Sequence, residues 1–281
     1  MIGRLGENNK YNRKGKNMEL KVSFITGVKN RAEEFRKMLE SLIAQDIKNW
    51  EAIIVDDHST EPIKETVEKF QEKRFHYFKL PKDKTGISNA RNLAIEKAKS
   101  NIMLTADGDD INEPSRAKIT YEIMTKKHCD VFYSRVRDFI PGQKGVAREL
   151  QPFHEKLLPM FNFMTNASCA FLRDKFLKLG GFDPNFIVCE DFDLYLRFLN
   201  SGAKFCYTQK ILVNYRNSPE GISSKKYSLL HKYFQKARIK NKIPPFDIEK
   251  VKKYALPSFA EDILTKHRKL FGDDRFKNKR K

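Results

Sequence analysis

The chain has 281 residues, of which 40% are hydrophobic and 12% aromatic, so it can bury one large core or a core with a small appendage. Its 55 Lys and Arg residues against 36 Asp and Glu give a formal charge of +19, which favours contact with polyanions such as nucleotide phosphates, anionic lipid head groups or nucleic acid. Residues 1–17 lack the apolar core of a signal peptide and no segment approaches the ~20 apolar residues of a membrane span, so we expect a cytoplasmic protein, neither secreted by a classical signal nor membrane-spanning.

The basic residues are concentrated at the two ends, in residues 4–21 and 266–281. Two interpretations of these basic arms remain open: charge that keeps the chain soluble, and contact with the cytoplasmic face of an anionic membrane. The four cysteines lie far apart and form no C-x-x-C pair, which favours a set of reduced thiols: Cys129, Cys169, Cys189 and Cys206.

The first half of the sequence alternates short apolar runs, typical of buried strands, with amphipathic stretches, typical of helices. Strands are predicted at residues 22–25, 52–55, 75–80 and 102–104. The first helix is predicted from apolar residues at three- and four-residue spacing, Phe35, Met38, Leu39, Leu42 and Ile43, and later helices near Pro62 and at 87–99 and 114–127. This alternation indicates a mostly parallel sheet covered by helices on both faces.

The alternation loosens after a strand predicted at residues 131–136. Segment 141–159 contains Pro and Gly and is interpreted as a lid or an acceptor-side loop. The pattern then predicts a strand at 168–172, a helix at 192–199, a strand at 211–215 and, from residue 223, two amphipathic helices separated by Pro244-Pro245. Whether these last helices pack on the core or on a membrane is left open by their pattern.

Polar side chains follow three of the predicted strands at the point where each strand ends. Lys29-Asn30-Arg31 follows the first strand, Asp56-Asp57 ends the second, and Asp107-Gly108-Asp109-Asp110 ends the fourth. Because ligands gather beyond the carboxyl ends of parallel strands, we expect these carboxylates and cations at one rim. Two carboxylates around a glycine can present oxygen ligands to a hard divalent cation that neutralises a diphosphate, although an ordinary acidic turn has the same pattern.

A second acidic motif follows two glycines. Gly180-Gly181-Phe182-Asp183 predicts a sharp reversal of the chain, and Glu190 and Asp191 directly precede the helix predicted at 192–199. One interpretation is structural, because the helix dipole favours acidic residues at a helix start. The other is catalytic, because a carboxylate at the edge of a charged cleft can accept a proton from an attacking hydroxyl.

Taken together, these motifs resemble the nucleotide-sugar glycosyltransferases of the GT-A fold, family 2 type, in their order and spacing. The resemblance spans about residues 22–223 and is carried by residues 22–31, Val55-Asp56-Asp57-His58-Ser59-Thr60, Gly86-Ile87-Ser88-Asn89-Ala90-Arg91-Asn92, Asp107-Gly108-Asp109-Asp110, and Gly180-Gly181-Phe182-Asp183 with Glu190-Asp191. It implies an α/β GT-A fold, Rossmann-like with a mostly parallel sheet and helices on both faces, plus a C-terminal helical extension. The expected divisions are a basic N-terminal arm at 1–19, a GT-A glycosyltransferase domain at 20–222 and a basic helical extension at 223–281.

The resemblance also implies which residues bind the donor. Asp57, with Asp56, would recognise the nucleoside base, and Arg91 would support the base or the diphosphate. Asp107 would touch the ribose or the metal, and Asp109 would be the direct ligand of a Mn²⁺ or Mg²⁺ ion that bridges the diphosphate.

On the acceptor side, the resemblance implies that Asp191 deprotonates the acceptor hydroxyl for in-line attack on the anomeric carbon, which inverts that centre. Glu190 would orient the acceptor. Arg31 resembles a phosphate-binding residue of a galactosyltransferase-like branch, and its alternative interpretation is a surface cation that starts a helix.

The sequence departs from the family pattern at two places. Val28 stands where the family has a hydroxyl in its first turn, so base recognition is expected to differ. Ser218 stands in the stretch where the family often has a metal-ligating His, which predicts weaker metal binding or a water in its place.

The leading hypothesis is an inverting glycosyltransferase that moves a sugar from a nucleotide donor, with a UDP-sugar favoured, to a glycan, lipid-linked or protein-linked acceptor in surface polysaccharide or glycoconjugate synthesis. A sugar-nucleotide binder that has lost catalysis is an alternative. A basic nucleic-acid-binding protein is a further one, but most aromatic residues lie at apolar-periodic positions rather than among basic residues, so no nucleic acid partner is expected.

Overall fold

A computed structural model describes residues 20–217, 227–244 and 246–261, together with residues 263 and 265. The N-terminal arm expected at 1–19, the basic stretch at 266–281, the position of Ser218 and the predicted boundary at 222/223 lie outside these ranges. Within the ranges described, no helix is long and apolar enough to cross a membrane.

The first four strands form the parallel half of one sheet. They are β1 (Val22–Val28), β2 (Trp50–Asp56), β3 (Phe75–Lys79) and β4 (Ile102–Thr105), and they lie in the order β3-β2-β1-β4 with each adjacent pair parallel. Helices α1 (Ala32–Ile43), α2 (Ile63–Glu68) and α3 (Ile87–Lys97) connect them. β1, β2 and β4 are buried along almost their whole length, which explains their near-continuous apolar runs.

Alternate residues of β1 and β2 face two separate cores, one on each side of the sheet. Phe24 and Ile54 pack on one face with α1, whose predicted apolar stripe is confirmed. Ile25 and Ile53 pack on the other face against α3 through the buried residues Ala90, Ala94 and Ile95. The period of two along each strand therefore accounts for both layers of helices.

The remaining elements are shorter and more irregular. They are β5 (Ile111–Asn112), α4 (Arg116–Lys127), β6 (Val131–Phe139), β7 (Val146–Ala147), β8 (Ala170–Leu172), α5 (Arg173–Lys178), α6 (Glu190–Asn200) and β9 (Phe205–Arg216). Strands β5 and β7 and helix α5 span at most six residues, too few to show a period in the sequence.

Beyond β4 the sheet is mixed, whereas its first four strands have the parallel arrangement that the alternation predicted. β8 lies between β4 and β6 and is antiparallel to both, whereas β9 is parallel to β6. β5 and β7 pair antiparallel with β9 and β6. An antiparallel pair needs no crossover helix, so the chain can re-enter the sheet at β8 directly from the loop that precedes it.

The described part of the C-terminal extension packs on the core. Helix α7 (Tyr227–Lys240) places Ala237, Tyr233 and Phe234 in one apolar cluster with residues of α6. Helix α8 (Ile248–Tyr254) and the segment after it pack on Leu157 and Met160, which belong to the segment interpreted as a lid or acceptor loop and its continuation.

A disulfide joins Cys129 and Cys206, so the expectation of four reduced thiols is wrong for this pair. The two residues are separated by 77 positions in the sequence, but the pairing of β6 with β9 brings their Cα atoms within 5.9 Å. Spacing along the chain carries no information about such a contact between strands. Cys169 and Cys189 are free.

Protein purified without reductant and then denatured should take up a thiol-alkylating reagent at two of its four cysteines, and at all four after reduction. Intact-mass spectrometry counts the labels. In the variant Cys129→Ser the three remaining thiols should all react without reductant, because Cys206 has then lost its partner. Four labels on the unreduced parent chain would contradict the disulfide.

Candidate active site

The turn after β1 is held in an unusual backbone conformation. Asn30 and Arg31 have φ angles of 59° and 61°, the left-handed region that non-glycine residues rarely adopt. The Asn30 side chain accepts from the Thr60 amide at 2.8 Å, and the Asn30 amide donates to the Ser59 hydroxyl at 2.8 Å. These bonds fasten the turn after β1 to the turn after β2 and place Arg31 at the start of α1, facing the rim.

Asp56 and Asp57 occupy different positions at the end of β2. Asp56 accepts from the Ser59 amide and the Tyr77 hydroxyl, both at 2.8 Å, so it shapes the turn. Asp57 accepts from the Thr85 hydroxyl at 2.7 Å and from the Gly86 amide at 3.0 Å. A carboxylate has about four lone-pair sites, so Asp57 retains the capacity to accept a further N–H group. The Lys29 ammonium lies 3.6 Å from it.

Arg91 of α3 joins the two acidic motifs. Its guanidinium donates to Asp107 Oδ1 at 2.6 Å and to Glu190 Oε1 at 2.7 Å, and the residue is only 5% exposed. Burial opposes the charge of Arg91, but the carboxylates of Asp107 and Glu190 outweigh it and raise the pKa above the ordinary value for Arg. With its amide oxygen turned towards Arg91, Asn166 accepts from Nη2 at 3.0 Å.

The carboxylates that follow β4 crowd one another. Asp109 Oδ2 accepts from Arg31 Nη1 at 2.6 Å, and Asp110 Oδ1 accepts from the Arg216 amide at 2.7 Å. Burial and repulsion from Asp107 raise the pKa of the Asp109 carboxyl, and burial with repulsion from Asp107 and Asp109 raises that of Asp110 well above its usual range. Asp110 Oδ2 is buried without a hydrogen-bond partner among the described residues.

This crowding fits a divalent cation that is shared with a ligand. No cluster of three His, Cys, Asp or Glu side chains within the described ranges is arranged to hold a metal by itself. Mg²⁺ in enzymes is commonly bound by one or two carboxylates plus substrate phosphates rather than by protein ligands alone. Asp109 and Asp107 could therefore supply the protein's share of the ligands for such an ion. Arg31 lies against Asp109 in this structure and supplies the positive charge there.

Asp191 lies in the first turn of α6, beside Glu190. Its Oδ1 atom accepts from the Phe192 amide at 2.7 Å, and Asn162 Nδ2 lies 3.4 Å from Oδ2. Burial and the neighbouring charge of Glu190 raise the pKa of Asp191 to about 7, against the opposing effects of Arg91 and Asn162. A carboxyl group that titrates near neutrality can take up a proton during a reaction at physiological pH.

The structure thus brings the two acidic motifs to one rim. Asp107, Arg91 and Glu190 form a direct chain of contacts, Asp191 follows Glu190, and Arg31 meets Asp109. Asp56 faces into its own turn, away from this chain of contacts. Sequence reasoning missed several residues that contact the predicted ones: Thr85, Asn162, Asn166 and Arg216.

Comparison with known proteins identifies glycosyltransferases among the relatives of this chain. The profile of the family described as Glycosyl transferase family 2 matches residues 23–179, a range that includes Arg31, Arg91 and Asp109 but ends before Glu190. The chain is 25% identical over 233 residues to an uncharacterized glycosyltransferase of Methanocaldococcus jannaschii, covering 79% of this chain and 80% of the relative. It is 27% identical over 144 residues to the UDP-Gal:alpha-D-GlcNAc-diphosphoundecaprenol beta-1,3-galactosyltransferase of Escherichia coli, covering 48% of this chain and 50% of the relative.

Solved structures share the fold at low sequence identity. S. aureus TarS in complex with UDP-GlcNAc has a TM-score of 0.65 at 17% identity, covering 93% of this chain and 76% of that one. The mannosyltransferase PcManGT from Pyrobaculum calidifontis, in complex with GDP-Man and Mn²⁺, has a TM-score of 0.62 at 15% identity, covering 90% and 70%.

The raised pKa of Asp191 predicts that the substitution Asp191→Asn stabilises the fold at alkaline pH. Because the folded-state pKa of about 7 lies above the unfolded value, the carboxyl stabilises the fold only while protonated, and that contribution is lost as pH rises through 7. Asparagine cannot ionise, so the variant should melt at a higher temperature than the parent at about pH 8.5 and at nearly the same temperature at about pH 4.5.

Differential scanning fluorimetry across this pH range measures the effect. The control is Asp174→Asn, which neutralises an exposed carboxylate in the first turn of α5 and should not stabilise the chain at alkaline pH. An equal gain for Asp191→Asn at both ends of the range, or none at the alkaline end, would contradict the raised pKa.

Proposed function

The chain belongs to glycosyltransferase family 2 and has the GT-A fold expected from its motifs, and from this premise we propose that it is an inverting enzyme in which Asp191 deprotonates the acceptor hydroxyl. As a family 2 glycosyltransferase it transfers a sugar from a nucleotide donor. The observation that carries the finer proposal is the buried contact of Arg91 with both Asp107 and Glu190. Because Glu190 directly precedes Asp191, this contact places the proposed catalytic base beside the predicted donor site.

In the proposed reaction, Asp191 takes the proton of the acceptor hydroxyl and the oxygen bonds to the anomeric carbon. The bond from that carbon to the diphosphate oxygen breaks at the same time, and the nucleoside diphosphate leaves with the electron pair. Attack from the side opposite the leaving group inverts the anomeric centre. Glu190, held by Arg91, orients the acceptor near the base.

The donor side is assigned to the rim at the ends of β1, β2 and β4. Asp57 accepts a hydrogen bond from an N–H group of the nucleoside base. Arg31 faces the diphosphate once the Arg31 side chain has left Asp109. Asp109 and Asp107 would hold Mn²⁺ or Mg²⁺, and the ion would neutralise charge on the leaving diphosphate. UDP is the favoured nucleotide, which is supported by the UDP-Gal in the name of the Escherichia coli relative and by the UDP-GlcNAc bound to TarS.

The acceptor proposed is a lipid-linked or other glycan of surface polysaccharide synthesis. Support comes from the name of the Escherichia coli relative, whose acceptor is a sugar diphosphate on a polyprenol, and from the formal charge of +19. Such a charge would favour approach to an anionic membrane surface, where a lipid-linked acceptor would be held.

A thermal-shift screen with UDP, GDP, dTDP and CMP, each with and without Mn²⁺, tests the donor site. A ligand at 100 times its dissociation constant adds about 2.7 kcal/mol of stability, so we expect a shift for UDP that is larger with Mn²⁺ and is lost on chelation by EDTA. Asp109→Asn should abolish the part that depends on Mn²⁺, while Asp174→Asn should keep it. A folded sample that no nucleotide shifts would contradict the donor site.

Transfer kinetics test the base. Because Asp191 must be ionised to accept a proton and its pKa is about 7, kcat/KM should rise with pH through about 7 and level off above it. Asp191→Asn should lower kcat by about 10²–10⁴-fold while the thermal shift by UDP persists.

Asn162→Ala provides a second variant for the same assignment. The Asn162 side chain lowers the pKa of Asp191, so its removal should move the rising limb of the profile to higher pH without moving the plateau by a comparable factor. Full transfer by Asp191→Asn would exclude Asp191 as the base. A limb that stays in place in Asn162→Ala would exclude the contact between the two side chains.

A further inference from the structure

A third acidic residue of α6 points away from the rim and into the protein. Asp193, two residues after Asp191, is 0% exposed. Its Oδ1 atom accepts from Asn241 Nδ2 at 2.9 Å, and its Oδ2 atom accepts from Arg197 Nε at 2.9 Å and from Lys240 Nζ at 3.0 Å. A buried carboxylate in the first turn of the catalytic helix is therefore bound by residues at and just beyond the end of α7.

The ammonium of Lys240 has a second carboxylate partner. It donates to Asp183 Oδ2 at 2.9 Å, and Asp183 belongs to the loop that leads from Gly181 to the start of α6. One cation thus ties together the loop before α6 and the first turn of α6 itself. Both partners of the ion pair between Lys240 and Asp193 are also favoured by helix dipoles, because the cation lies at the C-terminal end of α7 and the carboxylate near the N-terminal end of α6.

Apolar contacts place α7 against the same turn. The rings of Phe192 and Phe234 stack with centroids 4.4 Å apart and planes at 7°. Cys189, which has a φ of 60° at the start of α6, donates its thiol to the Leu230 carbonyl at 3.6 Å. Residues on both sides of Glu190 and Asp191 are therefore held by the C-terminal extension, in addition to the contact of Glu190 with Arg91.

We propose that Lys240 is a positioning residue for sugar transfer, which acts by binding Asp193 and Asp183 and so fixes the first turn of α6 in the orientation that presents Asp191 to the acceptor. The inference rests on the proposed role of Asp191 as the base. It assigns the C-terminal extension to the acceptor half of the active site, because among the described residues the hydrogen bonds and ion pairs of Lys240 go to Asp183 and Asp193 and not to the strands and turns of the proposed donor rim. A side-chain misplacement of about 1 Å is enough to lower transfer substantially.

The test compares Lys240→Met, Lys240→Arg and the control Lys232→Met. Methionine keeps the length of the side chain without its charge, arginine restores the charge, and Lys232 is an exposed lysine earlier in the same helix. We expect Lys240→Met to lower kcat for transfer about tenfold or more with the KM for the donor unchanged, Lys240→Arg to recover most of kcat, and Lys232→Met to match the parent.

Hydrogen exchange gives a readout that does not depend on activity. In Lys240→Met the amides of residues 190–194 should exchange faster than in the parent, while those of β1 and β2 keep their protection. A double-mutant cycle with Asp193→Asn then tests the route: if Lys240 acts through Asp193, the double variant should lose little more kcat than Lys240→Met alone.

The outcomes separate the two proposals. If Asp191→Asn is inactive and Lys240→Met transfers sugar like the parent, the positioning role is overturned and the base assignment stands. If Asp191→Asn is fully active, the base assignment fails whatever Lys240→Met does. Losses that add in full in the double-mutant cycle, or a donor KM that rises in step with the loss of kcat, would also overturn the positioning role.

Discussion

The site depends on one buried guanidinium, that of Arg91, placed between Asp107 and Glu190. Burying a charge is costly unless it is paired, and breaking a buried pair by removing one partner costs about 3–5 kcal/mol. Arg91 comes from α3, Asp107 from the end of β4 and Glu190 from the start of α6, so the requirement to pair the charge fixes three distant parts of the sequence relative to one another. The distance between the rim proposed for the donor and the helix proposed for the acceptor side follows from that requirement.

The same site is short of positive charge on its donor side. Asp107, Asp109 and Asp110 lie within four consecutive residues, and burial and mutual repulsion raise the pKa of two of them, Asp109 and Asp110. Arg31 offsets only part of this repulsion, and it does so from a backbone conformation in which strain is stored. A donor that arrives with a cation would relieve the repulsion and release Arg31 towards the diphosphate, so charges that are unfavourable in the free enzyme become favourable in the complex.

Local patterns predicted the parallel half of the sheet and the polar rim at its edge for a physical reason. In a parallel sheet the carboxyl ends of the strands must meet at one edge, so apolar runs followed by Asp57 and by Asp107-Gly108-Asp109 already imply a shared rim. The features that the sequence did not predict depend on contacts between distant segments, which the periodicity of apolar residues does not reveal. Asn162 lies in an irregular segment, Cys129 meets Cys206 through strand pairing, and the antiparallel entry of β8 follows from the path of a loop.

Asp193 shows why the acceptor half resists such reasoning. In sequence it is one of three acids at a helix start, where the helix dipole is a sufficient explanation for all of them. Only the fold separates them: Glu190 turns to Arg91, Asp191 stays half-buried with a raised pKa, and Asp193 is fully buried against α7. The family profile ends at residue 179, before this helix, whereas the residues proposed to bind the donor lie inside the profile. UDP-, GDP- and dTDP-sugars all present a diphosphate, so one rim geometry suits many enzymes, but acceptors differ in shape. With Asp191 as the proposed base, a helix that is held by the C-terminal segment could be adjusted to a new acceptor without disturbing the proposed donor rim.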